Sequence, residues 1–432
     1  MILEYSIENT FSINEKQTIS FEAVVDDDTN EIHCCQCGEK RILKMACIYG
    51  ANASGKTKMA RALYFYINFL LSSFTDLKPN ESTHFVPFKF SEINKDKPGK
   101  FELIFYTKDI FSEKIVKYKY NLSMNKKNVE YESLFYAPKG QLKLLFERNL
   151  DGNIKWGLDI TGAKKIIADM TRDNCSVISA GAQAKHPVFK VLYDYLSNRF
   201  KGIITASSDA IFGYISERIE KDEVYKEKLL RLLSTSDIGR ITDIKIKDEP
   251  IPDAIIAQFP PEFREEMAKN GEKPHTRELN FIHSYDNDYE ISINAESAGT
   301  RRLMNLSAPL MDISSSSSFL IIDELENSLH QLLIENFIEI FLLASSKSNM
   351  DSQLLFTTHN QELLDTGLLR DDEIWFCQKN DKGESLYESI TDFTGIRKEV
   401  SRKKLYQSGK FGALPNIDMV TLTEIFSAKK DR

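Results

Sequence analysis

The sequence predicts an α/β protein with a mixed sheet core, an antiparallel β flank and a mainly helical insertion, and three observations carry that expectation. An apolar run from Ile42 to Tyr49 delivers a glycine-bounded loop that opens a helical stretch. A second apolar run, Phe319 to Ile322, ends in two acids, and a third, from Leu354, ends in a histidine. Between them lie first β-rich segments and then helical patterns, so that strands and helices share one chain in the manner of a layered α/β domain.

Composition bounds the rest. A chain of 432 residues has room for two or three domains or one large domain with an insertion. Hydrophobic residues at 42% and charged residues at 28% exclude wholesale disorder and fibrous repeats. The net charge of −8 removes any global basic excess, so contact with a nucleic acid would need a local patch. The opening MILEYSIENT has no basic segment followed by an apolar one, and no stretch reaches the ~20 apolar residues of a membrane span, which makes a cytosolic protein the expectation. The aromatic run Tyr64 to Phe74, broken by Asn68 and two serines, reads as a buried helix.

Taken in order, residues 1–24 alternate apolar and polar through Ile2, Tyr5, Ile7, Phe11, Ile13, Ile19 and Phe21, as a strand, a turn and a second strand do. Asp26, Asp27 and Asp28 then read as a solvated turn. Cys34, Cys35 and Cys37 beside His33 read as a loop with free thiols; a zinc site is the alternative, although no second cysteine pair stands near. After the glycine loop and its helix, Phe101 to Tyr106, Val116 to Leu122 and Val129 to Tyr136 are β-rich and form the flank. Residues 163–272 carry mostly helical patterns, among them Val188 to Phe200 and Ser216 to Leu233. Strand patterns return at Ile241 to Ile246, Arg277 to His283 and Tyr289 to Asn294. The expected division is 1–160 as a first lobe, 161–275 as the helical insertion and 276–432 as a second lobe.

Four motifs carry chemistry. Gly50-Ala51-Asn52-Ala53-Ser54-Gly55-Lys56-Thr57 satisfies GxxxxGK[ST] between a strand and a helix, the context its mechanism requires. Its backbone N–H groups can wrap phosphate oxygens, Lys56 can neutralise them, and the Thr57 hydroxyl can ligate magnesium. Asp323 and Glu324 close the second apolar strand as a Walker B pair, Asp323 to hold magnesium through water and Glu324 to polarise an attacking water. Asp323 stands 267 residues after Lys56, so a large segment is inserted between the two motifs. Glu296-Ser297-Ala298-Gly299-Thr300 opens a helix with small residues whose N–H groups suit a phosphate. His359, 36 residues after Asp323, ends its strand where open α/β sheets bind ligands and reads as a γ-phosphate sensor.

Walker A, an S-x-G signature, a D-E Walker B and T-T-H in that order resemble the ABC-type ATPases, in their SMC-like and OLD-like branch. Ile7 to Ile13 resembles that branch's opening strand, and Pro87-Phe88-Lys89-Phe90 followed by Phe101-Glu102-Leu103 is similar to its lobe-one flank. Phe281-Ile282-His283, Glu296 to Thr300 and the segment Tyr406 to Pro415 are similar to bacterial ATPases of phage-defence and abortive-infection pairs, among them the PARIS ATPase subunit and AbiL-type ATPases. The resemblance implies an ABC-type ATPase head that uses ATP and Mg2+, in a head-to-tail homodimer or higher homo-oligomer with two nucleotides sandwiched between Walker A of one subunit and the signature of the other. Ser297 and Gly299 would then act in trans, and Asn327-Ser328-Leu329-His330 would be the D-loop. The signature is E-S-A-G-T and not L-S-G-G-Q, and no Q-loop glutamine stands between Phe85 and Tyr106.

For the aromatic that stacks on adenine, Tyr5, Phe11 and Phe21 are all candidates, and all three serve equally well as strand core. The basic run Arg397, Lys398, Arg402, Lys403 and Lys404 reads as a solvated face, with contact to a nucleic acid or acidic partner as the alternative. Only 73 residues follow His359, which we take as too few for an appended TOPRIM nuclease, and Asp286 and Asp288 read as a strand turn and not a metal pair. The functional expectation is a slow, regulatory ATPase acting as sensor or scaffold for a separate effector, a toxin or nuclease, in anti-phage defence of the toxin–antitoxin kind. The alternative is an SMC-like DNA-binding ATPase of repair or chromosome maintenance, against which stands the absence of sustained heptads.

Overall fold

In the segment Ile115–Met124, Val116, Tyr118, Tyr120, Leu122 and Met124 are buried while the residues between them are not, the period-two pattern of a strand with one face on a core. That strand, β7, sits in a seven-stranded sheet ordered β10 (Ile154–Trp156), β9 (Lys143–Asn149), β8 (Val129–Ala137), β7, β6 (Gly99–Lys108), β1 (Ile2–Glu8) and β2 (Gln17–Ser20). Its neighbouring strands pair antiparallel throughout. The computed structural model describes residues 1–24, 30–205, 210–236, 239–261, 264, 275–313, 316–347, 351–397, 400–415 and 418–427. Asp26, Asp27 and Asp28, Lys398, and the first two residues of the serine run Ser314 to Ser318, whose sequence reads as a short polar loop, lie outside the described residues.

The second sheet has six strands in the order β11 (Phe200–Ile204), β15 (Phe319–Ile322), β16 (Gln353–Thr358), β5 (Met45–Gly50), β17 (Ile374–Lys379) and β18 (Ser385–Ser389). β15, β16, β5 and β17 run parallel, and β18 returns antiparallel. Every residue of β5, β15 and β16 is buried, which explains why these strands read as continuous apolar runs and not as alternation. Helix α2 (Lys56–Asp76) packs on both β1 and β16 and buries Met59, Ala60, Leu63, Tyr66, Ile67 and Leu70, a stripe at three- and four-residue spacing. Behind its C-terminal half, α4 (Val177–Gln183) is fixed by hydroxyls: Ser176 Oγ donates to Leu70 O at 2.9 Å and Ser179 Oγ to Leu71 O at 2.9 Å.

Three local expectations are corrected. The run Ile42 to Tyr49 is two strands, β4 (Lys40–Leu43) and β5, parted at Lys44, whose N–H donates to His33 O and whose carbonyl accepts from Leu354 N–H. Cys34, Cys35 and Cys37 lie on a strand, β3 (Cys34–Cys37), paired antiparallel with β4, and not on a loop; all are free thiols. Cys35 Sγ donates to Asp351 Oδ1 at 2.7 Å and the His33 ring meets Glu373 at 2.9 Å, so these side chains face separate partners. Among the described residues no three His, Cys, Asp or Glu gather as a metal site. Ser216 to Leu233 is not one helix: α6 (Ala210–Lys221) stops and α7 (Glu223–Thr235) starts at Asp222, whose carboxylate caps the new helix by accepting from Tyr225 N–H at 3.0 Å.

The chain divides into two compact units, one of residues 1–203, 316–325 and 342–432, the other of 204–315 and 326–341. In the second, β12 (Ile241–Pro250), β13 (His275–Ser284) and β14 (Asp288–Ser292) form an antiparallel sheet. Ile244, Leu279 and Phe281 of that sheet pack with Ile215, Tyr225, Leu229 and Met304, the last from helix α9 (Ala298–Ile313). No described helix is long and apolar enough to cross a membrane.

Candidate active site

The glycine loop is held from behind. Gly50 ends β5 where an added Cβ would run into the Cys377 carbonyl, and at Gly55, with φ of 117°, one would run into the Ser385 hydroxyl. Ala53 also takes a left-handed conformation, with φ of 62°. The Ser54 carbonyl accepts from Ser385 Oγ at 2.6 Å and Cys377 Sγ at 3.4 Å, and the Gly55 carbonyl accepts from Tyr387 Oη at 2.7 Å. Burial pushes the Cys377 thiol up to about 11, so it stays a protonated donor. The Ser54 and Gly55 carbonyls are thus turned into β17 and β18, and Asn52 and Ala53 of the loop are exposed. Helix α2 starts with no side-chain cap and no acid in its first turn, an N-terminus whose N–H groups and dipole suit an anion. The chemistry of this cradle fits a phosphate.

Strand register brings the remaining groups to it. Thr358 is level with Tyr49, and Ile322 with Phe356, so the carboxyl ends of β5, β16 and β15 lie side by side. Lys56, buried, donates to Gly50 O at 2.8 Å and Ala51 O at 3.0 Å, and its Nζ lies 3.0 Å from His359 Nε2. Thr57 Oγ1 donates to Asp323 Oδ1 at 2.9 Å. The same oxygen accepts from Thr357 Oγ1 at 2.7 Å, and Thr357 Oγ1 in turn accepts from Glu324 N–H at 2.8 Å. Glu324 is left-handed, with φ of 50°, a strained conformation for a residue with a side chain.

Ser297 and Gly299 lie in the second unit, at the start of α9. Ser297 Oγ accepts from Thr300 N–H at 3.0 Å, and Glu296 Oε1 lies 2.6 Å from His283 Nε2. A Cβ on Gly299 would stand 3.1 Å from the Ser328 carbonyl, so the S-x-G turn and the segment Asn327 to His330 are packed neighbours.

The other candidates separate. Tyr5 and Phe21 are fully enclosed, whereas Phe11 is half-buried with Lys58 Nζ 5.5 Å from its ring centroid, at the start of α2. Asp286 accepts from Tyr289 Oη at 2.9 Å and Asp288 from Ser284 Oγ at 2.5 Å, each within its own turn. Of the basic run, Arg402 pairs bidentately with Asp371 at 3.0 and 2.8 Å and Lys403 with Glu362 at 2.6 Å. Thr357 stands inside the T-T-H motif, whereas Ser385 and Tyr387 stand outside every motif of the sequence. Their sequence signal is only strand-like alternation, since the loop they support is more than 300 residues away.

A mixed α/β fold with a glycine loop on the end of a buried parallel strand, and an acid pair on a strand next but one to it, defines a P-loop NTPase-type domain. The model of the family described as "AAA domain, putative AbiEii toxin, Type IV TA system" matches residues 45–365, and the chain belongs to that family. It is an AAA ATPase-type domain linked to toxin–antitoxin and abortive-infection systems. Among curated proteins none matches it.

Proposed function

We propose that the chain binds and hydrolyses ATP at Gly50 to Thr57 and uses the cycle to control a separate effector of a defence pair. The observation that carries this reading is the pairing of Lys56 with His359 and of Thr57 with Asp323, each within hydrogen-bond reach, at the carboxyl ends of neighbouring parallel strands. Lys56 holds the β and γ phosphates once it leaves its own loop carbonyls, and His359, already beside it, reads the γ-phosphate. Thr57 and Asp323 are the residues that would hold Mg2+, which when bound withdraws charge from the phosphate oxygens. Glu324 takes the proton of the attacking water. Phe11 is the remaining aromatic for the base.

In this reading residues 1–160 and 276–432 are the two lobes of an ABC-type head of the SMC-like and OLD-like kind, and 161–275 is the insertion that meets the partner or trigger. Ser297 and Gly299 complete the site of a second copy, so ATP closes a homodimer and hydrolysis opens it. The test uses Lys56→Ala and Glu324→Gln. Lys56→Ala is expected to lose nucleotide binding, and normal ATP affinity in it would contradict the assignment. Glu324→Gln is expected to bind ATP, hydrolyse it only at a small residual rate and sediment as a closed dimer. Capture of tagged Glu324→Gln with ATP from its native cell then identifies the effector as a stoichiometric protein surviving nuclease; recovery of DNA alone would favour the DNA-clamping alternative.

A further inference from the structure

We propose that Thr357 is a positioning residue for hydrolysis, a one-proton relay that sets Asp323 and Glu324 relative to each other. This rests on the hydrolytic reading of Glu324. A threonine hydroxyl has one proton to give and lone pairs to receive with. Here the proton goes to Asp323 Oδ1 at 2.7 Å and a lone pair takes the Glu324 N–H at 2.8 Å. A backbone N–H only donates, so the hydroxyl receives on that side and its own proton is left for the carboxylate oxygen. Thr357 is fully buried, and its bond to Asp323 is closed to solvent.

The relay acts on a residue whose backbone is under strain. Glu324 holds φ of 50°, and Thr357 brackets it on both sides, accepting from Glu324 N–H with its hydroxyl and from Leu325 N–H with its carbonyl at 3.1 Å. A side chain leaves the backbone in a direction set by φ and ψ, so whatever fixes this conformation fixes where the carboxylate begins. The carbonyl bond is open to any residue at 357; the hydroxyl bond is not. Valine would keep the strand and the packing yet take this acceptor from the Glu324 N–H and a hydroxyl donor from Asp323 Oδ1. Thr57 still contacts that oxygen, so the acid keeps its link to the glycine loop while its link to Glu324 is cut.

The experiment compares Thr357→Val with Thr357→Ser in steady-state hydrolysis, with thermal unfolding to show that each is folded. Valine is expected to lower kcat about a hundredfold, the scale of a small misplacement of a catalytic group, with KM for ATP unchanged. Serine, which keeps the hydroxyl, is expected to recover most of the rate. If valine does not fold, Thr357→Ala, which sets no methyl against the carboxylate, takes its place. The decisive reading is a cycle with Glu324→Gln under single-turnover conditions: a residue acting through Glu324 adds no further loss in that background. A valine variant with normal kcat, or one whose loss is equally large beside Glu324→Gln, overturns the relay. If Glu324→Gln is inactive and valine is active, only the relay fails; if Glu324→Gln hydrolyses normally, the hydrolytic reading fails with it.

Discussion

Glu132 and Arg148 are enclosed together in the seven-stranded sheet, with side-chain exposures of 0% and 2%, a situation that costs several kcal/mol per ion unless each is fully partnered. They are. Glu132 accepts from Tyr120 Oη, from Val177 N–H at 2.9 Å and from Arg148 at 3.4 Å, while Arg148 also donates to Cys175 O at 2.7 Å and Arg172 O at 2.9 Å. The pair thus ties β8 and β9 to the start of α4. Arg148→Met is expected to destabilise the fold by about 3–5 kcal/mol, the range for removing one partner of a buried pair, as chemical denaturation would measure. Burial pushes the Glu132 carboxyl above its ordinary 4.5, and Arg148 only partly draws it back. The folded state therefore binds this proton more tightly than the unfolded chain. The stability from this group is fully present below pH 4.5 and is lost as pH rises through the raised folded value. Glu132→Gln removes that dependence, so its stability relative to the parent should improve as pH rises from 4.5, and a pH-independent difference would disprove the shift.

At the scale of elements, the six-residue helix α11 (Arg402–Gln407) is too short to persist alone and is held by what surrounds it. Gln407 bonds Gln361 at 2.9 Å, Ser401 bonds Asp365, and Tyr406 stacks on Phe376 with centroids 5.7 Å apart. Phe411 covers the same Phe376 ring at 4.2 Å, and Tyr406 reaches Tyr49 at 6.1 Å, the residue before Gly50. The segment after His359 and the strand under the glycine loop thus share one aromatic support. Phe411→Ala is expected to cost about 3–5 kcal/mol, measured by urea unfolding, whereas Arg402→Ala, on a partly exposed pair, is expected to cost about 1 kcal/mol or less. These elements also show what a single sequence can carry. Runs with one period, such as Lys56–Asp76 or Ile115–Met124, are legible because burial repeats along them. The break at Asp222 was legible in principle, since an acid before Glu223 is a cap signal, but the apolar spacing on either side hid it. Lys44 gave no sign that it parts two strands, because its partners are His33 and Leu354. The motifs placed Lys56, Thr57, Asp323 and His359 at one site, yet the Thr357 hydroxyl and the Ser385 and Tyr387 supports depend on strand order, which one sequence does not contain.

At the scale of the whole molecule, the proposed ATP sandwich makes a demand that no single chain can meet. Lys56 and Thr57 belong to one compact unit and Ser297 and Gly299 to the other, and in a head-to-tail arrangement each site takes its glycine loop from one subunit and its signature from the other. A subunit with Lys56→Ala then still offers an intact signature, and a subunit with Ser297→Arg still offers an intact glycine loop. Each variant alone forms only damaged sites and is expected to be inactive. Mixed in equal amounts, half of the dimers pair one of each and carry one intact site of two, so hydrolysis should return to roughly a quarter of the parent rate, given a symmetric pair of interfaces. Hydrolysis that stays absent on mixing, while the two variants demonstrably exchange subunits, would exclude action in trans and leave Ser297 and Gly299 as part of each chain's own fold. Recovery would tie the second unit to catalysis, and would make subunit closure the event that an effector of the pair could read.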